Sequence, residues 1–193
     1  MLNIVIFGAP GSGKGTQSTN LIEKYKLAHI STGDVLRAEK AAGTELGKLA
    51  DSYMSKGQLI PDELMIDILA SVFDQKTKSG ECKGVIFDGF PRTIPQGTAL
   101  NEMLEKRGQK ISAVVSLDVP EEELIERLLN RGKQTGRNDD NYETIKARLD
   151  VYYNQTTPLK ELYEKDGKLY SVEGVGSVED IFARISSVID KVN

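Results

Sequence analysis

The sequence is poor in the residues that many chemistries require. It holds one cysteine, Cys82, in 193 residues, which excludes an internal disulfide framework and any Cys-rich zinc site. It holds one histidine, His29, so multi-histidine metal sites are excluded and a Ser-His-Asp triad would have to run through that residue. No apolar run approaches the roughly 18–20 residues of a membrane span. There is no excess of positive charge: 25 Lys and Arg stand against 29 Asp and Glu, a net charge of −4. That balance argues against a general nucleic-acid or membrane-surface binder. The N-terminus has neither a basic flank nor a small-residue cleavage site, so no signal peptide is expected. An intracellular, cytoplasmic home fits the low cysteine content.

What is present belongs to one globular domain, with 39% hydrophobic and 28% charged residues. Residues 2–7 form an apolar run rich in Ile and Val that stops at a Gly/Pro cluster, the pattern of a parallel strand buried on both faces. A helix is expected over 13–25, and further strand-like runs lie at 85–87, 113–117 and 168–172. Pro61 before Asp62-Glu63 and Pro120 before three glutamates read as helix starts, and 178–192 carries apolar residues at helical spacing. Strand alternating with helix implies an α/β domain with a parallel sheet. Two stretches leave that alternation. Residues 31–60 are mostly helical in pattern. Residues 132–141 are polar, glycine-bearing and without apolar periodicity. Both read as excursions of the kind that gate a site.

Gly8-Ala9-Pro10-Gly11-Ser12-Gly13-Lys14-Gly15-Thr16 follows the first strand directly and contains G-x-x-x-x-G-K, the core of a phosphate-binding P-loop. Its glycines let several backbone N–H groups converge, the next helix adds its positive end, and Lys14 supplies a mobile charge. Here Gly15 intervenes between the lysine and Thr16, which leaves the direct hydroxyl–magnesium contact of the strict pattern without its usual residue. Asp88 ends the 85–87 run, where an acid beside a P-loop strand suits a role in holding magnesium-bound water. Arginines suited to phosphate recognition by their two-pronged donors are Arg37, Arg92, Arg127, Arg131, Arg137 and Arg148. Arg127 and Arg131 share one helix face, and Arg127 could equally pair with Glu123.

Five segments carry a family resemblance. GAPGSGKGTQ at 8–17, STGDVLR at 31–37, DGFPRTIPQ at 88–96, GRNDD at 136–140, and Arg148 followed by Tyr152-Tyr153 and Pro158-Leu159 resemble the adenylate kinase family of the short-lid type, in the family's order over nearly the whole chain. The resemblance implies a five-stranded parallel P-loop sheet flanked by helices, with two small mobile lobes inserted in one domain over 1–193. Residues 31–60 would be the monophosphate-binding lobe and 130–140 a short lid. It implies MgATP and AMP giving two ADP by direct in-line transfer, in a monomer. Gly11, Ser12, Gly13, Lys14, Gly15, Thr16, Arg127, Arg131 and Gly176 would bind ATP. Thr32, Arg37, Gln58, Leu59, Ile60, Gly89, Phe90, Pro91, Arg92, Gln96, Arg137 and Arg148 would bind AMP, with Gln96 reading the adenine edge. Lys14, Arg92, Arg127, Arg131, Arg137 and Arg148 would be catalytic. The cofactor would be Mg2+, with Asp88 acting through water. Zinc is not expected, because 130–140 holds no cysteine. Two alternatives stay open at this point. One is a UMP/CMP kinase, in which the positions of Thr32 and Gln96 typically carry alanine and asparagine. The other is a non-catalytic nucleotide-binding switch. His29 reads as structural and Cys82 as a bystander.

Overall fold

The computed structural model describes residues 1–193. Five strands, β1 (Leu2–Gly8), β2 (Leu27–Ser31), β3 (Gly84–Asp88), β4 (Ala113–Asp118) and β5 (Leu169–Glu173), form one parallel sheet in the order β2-β3-β1-β4-β5. The α/β class and the five-stranded parallel sheet are therefore as expected. Every residue of β1 is buried, which matches its unbroken apolar run at the centre of the sheet.

The period-2 geometry of the strands sorts their side chains into two cores. Val5, Phe7, Val85, Phe87 and Val114 face one way. They pack with Leu69 and Phe73 of α4 (Asp62–Thr77), Leu100 and Leu104 of α5 (Ile94–Glu105), and Tyr163 of α8 (Leu159–Lys165). Ile4, Ile6, Ile86, Val115 and Leu117 face the other way, onto Leu21 of α1 (Lys14–Tyr25) and Ile181, Ile185 and Ile189 of α9 (Val178–Ile189). A third cluster joins Ala9 to Leu124 and Leu128 of α6 (Glu121–Thr135) and to Ile145 and Leu149 of α7 (Tyr142–Val151). It ties the loop after β1 to the helices that bear Arg127, Arg131 and Arg148.

The chain leaves β1 toward β2 on one side and reaches β4 on the other. Ligands of open α/β sheets bind beyond the carboxyl ends of strands at such a reversal. Register puts Ile6 beside Asp88 and Asp88 beside Ser31, so the loops after β1, β2 and β3 open at one place.

Two local expectations change. Residues 27–31 form a strand that the pattern did not announce, because LAHIS is short and buries only Leu27 and Ile30 at the sheet's edge. The polar stretch 132–135 is helical, not loop: Leu124 and Leu128 anchor α6, whose polar residues face outward until Gly136 ends it in a left-handed conformation (φ 66°). The excursion at 31–60 is a pair of helices, α2 (Thr32–Ala41) and α3 (Glu45–Met54), started by side-chain caps from Ser31 and Thr44.

Candidate active site

The loop after β1 reaches α1 through Gly13, which sits at φ 92° in the left-handed region that favours glycine. No side chain caps α1, so the amides of its first turn stay available to an anion. The Lys14 ammonium turns back and donates to the carbonyls of Gly8 (2.7 Å) and Ala9 (3.0 Å). Burial pulls its pKa down to about 8; Arg92, Arg148 and Arg131 add to the effect, against the opposing charge of Asp88. All nine residues expected to bind ATP line one open cleft, together with Asp88 and His29. Arg127 is held there by Glu123 and by donation to the Gly174 carbonyl (3.1 Å).

A second pocket opens beside the cleft. Ten of the twelve residues expected to bind AMP line it: Thr32, Arg37, Gln58, Leu59, Ile60, Gly89, Phe90, Arg92, Gln96 and Arg148. Pro91 instead lines an adjoining hollow with Lys14, Tyr152 and Thr156, and Arg137 faces the P-loop cleft. Leu36, Met54 and Met65 add apolar wall that the motifs did not mark. Gly89 (φ 77°) allows a close approach: a Cβ there would lie 2.9 Å from the Arg92 guanidinium and 3.1 Å from Thr32 Oγ1. In its absence Thr32 Oγ1 donates to the Gly89 carbonyl at 2.9 Å.

Arg92 is the hinge between the two spaces and lines both. Its Nε donates to the Gly89 carbonyl (2.6 Å), its backbone N–H donates to Gln96 Oε1 (2.8 Å), and its carbonyl accepts from Thr156 Oγ1 (2.8 Å). Thr156 lies in a π-helical turn, Tyr152–Thr156, that sequence reading missed. Such turns leave little trace in hydrophobic periodicity and often occur at functional sites.

The other arginines are held by acids. Asp140, with its side chain fully buried, accepts from Arg131 through both oxygens (2.7 and 2.8 Å) and from Arg148 (2.9 Å). Asp139 lies 3.3 Å from Arg137 and 3.2 Å from Arg148. Burial alone would raise the pKa of Asp140, but the hydrogen bond and charge of Arg131, with the charges of Arg148 and Arg137, bring it below the ordinary carboxylate value. Arg37 pairs with Asp34. Lys14 and Arg92 are the site's cations without a carboxylate at ion-pair distance. Burial, followed by the charge of Arg148, lowers the Arg92 pKa to about 10. Both are half-buried positive charges within the field of Asp88. His29 sits on β2 at the edge of the cleft, its Nε2 3.7 Å from Asp88. Asp139, Asp140 and Thr156 are the functional candidates that the motif reading did not assign.

Comparison with known proteins gives the family. The adenylate kinase family model matches residues 6–168. An adenylate kinase of Bacteroides fragilis is 65% identical over 190 residues, covering 98% of this chain and 99% of that protein. Adenylate kinases of Parabacteroides distasonis (60% over 192 residues, the whole of both chains) and Porphyromonas gingivalis W83 (53% over 191 residues, 99% of this chain and 97% of that protein) are also similar.

Proposed function

The chain belongs to the adenylate kinase family and is an ATP:AMP phosphotransferase; on that premise we propose how its residues divide the work. ATP lies in the P-loop cleft, its phosphates held by the amides of residues 11–16 and by Lys14, Arg127 and Arg131, with the backbone at Gly176 against its base. AMP lies in the adjoining pocket, its phosphate against Arg37 and Arg92 and its base against Gln96 and the 58–60 backbone. The observation that carries this reading is the shared wall: Gly33, Arg37, Gly89 and Arg92 line both spaces, so two phosphate chains would meet there.

The AMP phosphate oxygen, already anionic near neutral pH, attacks the γ-phosphorus in line. A bond forms between them while the bond from the γ-phosphorus to the β–γ bridging oxygen breaks, leaving two ADP. No covalent enzyme intermediate and no general base is required. Lys14 and Arg92 supply charge that is strongest where water is excluded, and Arg131, Arg137 and Arg148 complete the positive surround. Magnesium bound with ATP would neutralise charge on the β- and γ-phosphates. Asp88, a hard oxygen donor facing the cleft, suits it through an intervening water. Water is the competing nucleophile, and closure of 31–60 over AMP and of 130–140 over ATP would exclude it.

ADP formation tests the reading: MgATP alone should be nearly idle, and AMP should release fast turnover. Brisk ATP hydrolysis without AMP would overturn it in favour of a hydrolase switch. A monomer is what the family resemblance implies, and the low cysteine content suits a cytoplasmic home. Sedimentation at micromolar concentration checks the oligomeric state.

A pH dependence follows from Lys14. Only the protonated lysine attracts phosphate. Its lowered value in the free enzyme, about 8, means that the charged fraction falls above that pH. Arriving phosphates push the value back up, so ATP binding takes up a proton there. The kcat/KM for ATP should fall above pH 8 toward about tenfold per pH unit, while kcat at saturating ATP holds to higher pH. A flat kcat/KM from pH 7 to 10 would contradict this.

A further inference from the structure

We propose that Asp62 is a specificity-determining positioning residue, which fixes the orientation of the Gln96 amide and so determines which purine edge the pocket accepts. The inference rests on the reading of that pocket as the base site of AMP. Gln96 is 2% exposed, in the first turn of α5. Its Nε2 donates to Asp62 Oδ1 at 2.8 Å, and its Oε1 accepts the Arg92 backbone N–H at 2.8 Å. The same Asp62 oxygen accepts from Thr93 Oγ1 at 3.0 Å, and Thr93 in turn caps α5 by accepting the Gln96 N–H at 3.3 Å. Asp62 opens α4, so it is fixed to a second helix.

The chemistry of the two partners is one-sided. A backbone N–H can only donate, and an ionised carboxylate can only accept. A carboxamide held between them has a single orientation. Its remaining capacity is then one N–H and one carbonyl lone pair in fixed order. Adenine offers the complement, an acceptor at N1 beside a donor at N6. Hypoxanthine and guanine offer the reverse, a donor at N1 beside an acceptor at O6. To serve them the amide would have to turn over, which sets oxygen against the Asp62 carboxylate and N–H against the Arg92 N–H. Two hydrogen bonds of the buried Gln96 side chain would become two repulsions. Asp62 thus rejects a 6-oxopurine without touching it.

IMP is the sharpest probe, since its base differs from adenine at the 1 and 6 positions alone. The experiment measures kcat/KM for AMP and for IMP at saturating MgATP in the wild type, Asp62→Asn, Asp62→Glu, Gln96→Ala and the double variant Asp62→Asn/Gln96→Ala. Asparagine can present either a donor or an acceptor, so Asp62→Asn should lower the AMP:IMP ratio about tenfold, the scale of one buried hydrogen bond. The KM for ATP should hold. Asp62→Glu, still acceptor-only, should keep most of the ratio. With Gln96 replaced by alanine, adding Asp62→Asn should leave the ratio where it was. If Asp62→Asn melts below the assay temperature, Asp62→Ser serves the same purpose, because a hydroxyl also donates or accepts. An unchanged ratio in a folded Asp62→Asn or Asp62→Ser variant overturns the proposal, as does an equal shift with or without Gln96; either outcome would leave Asp62 as a helix-start residue only. A wild type that does not prefer AMP over IMP overturns the pocket reading itself, and this proposal with it.

Discussion

Replacing Arg92 with lysine should lower kcat by about 10²–10³, the scale of one lost charge-stabilising contact, while the KM for ATP stays within a few-fold. The substitution keeps the positive charge and removes the planar fork. Nε of Arg92 is spent on the Gly89 carbonyl at 2.6 Å, which aims the two terminal nitrogens along the wall shared by both pockets. The backbone on either side is pinned by Gln96 and Thr156, so the fork is preset and is not recruited by substrate. Lysine puts its three donors on one compact nitrogen at the end of a flexible stem, so it cannot hold the Gly89 carbonyl with one nitrogen while presenting a planar pair of others to two phosphate oxygens. The loss belongs in kcat because the fork is needed where AMP and the moving phosphoryl group meet. Steady-state kinetics at saturating ATP and AMP decide the matter. Near-normal kcat would remove Arg92 from the transition state, and a loss confined to the KM for AMP would reduce it to a ground-state binding residue.

The second large effect lies in a residue that touches no substrate in this account. Asp140→Ala should destabilise the fold by about 3 kcal/mol, at the low end for breaking a buried ion pair because Arg131 and Arg148 keep some access to water. For a chain of this size that is a fall in Tm of about 6–12 °C. The sign with pH follows from the depressed carboxylate. Its contribution is complete above the ordinary Asp value of about 4 and is lost as pH falls through the lower folded value, so wild type and variant should converge in stability in acid. Activity should fall as well, by about 10², since Arg131 and Arg148 lose the anchor that holds them near the reacting groups. Thermal melts at pH 7 and in acid, with kcat below the variant's melting range, test both parts. A Tm within 2 °C of wild type would show that Asp140 does not hold the arginine cluster.

These two residues mark the boundary of what could be read in advance. Arg92 was legible because it stands four residues past an acid that ends an apolar run, inside a segment with a family resemblance. β1 and its loop were legible because a buried parallel strand is an unbroken apolar run and a phosphate loop must be rich in glycine. Asp139 and Asp140 lay inside a segment with a family resemblance, GRNDD, but as two acids in a polar stretch nothing in the chain named their partners. Their role exists only where α6, α7 and the segment between them converge. The Asp62–Gln96 bond spans 34 positions, and no local pattern joins a helix-start acid to a glutamine on another helix. β2 escaped because an edge strand of five residues needs few apolar side chains. The helical course of 132–135 escaped because a solvent-facing helix end needs none once the turns before it are anchored.

The most direct test of the account is ADP formation from MgATP with AMP, CMP, UMP and GMP offered in parallel, beside a control without acceptor. Strong activity with AMP, weak activity with the other three and an almost silent control is the result that follows from a P-loop cleft and a Gln96-lined pocket meeting at Arg92. Equal or greater activity with CMP or UMP would contradict the assignment of the second pocket, and silence with every acceptor despite ATP binding would contradict the transfer itself.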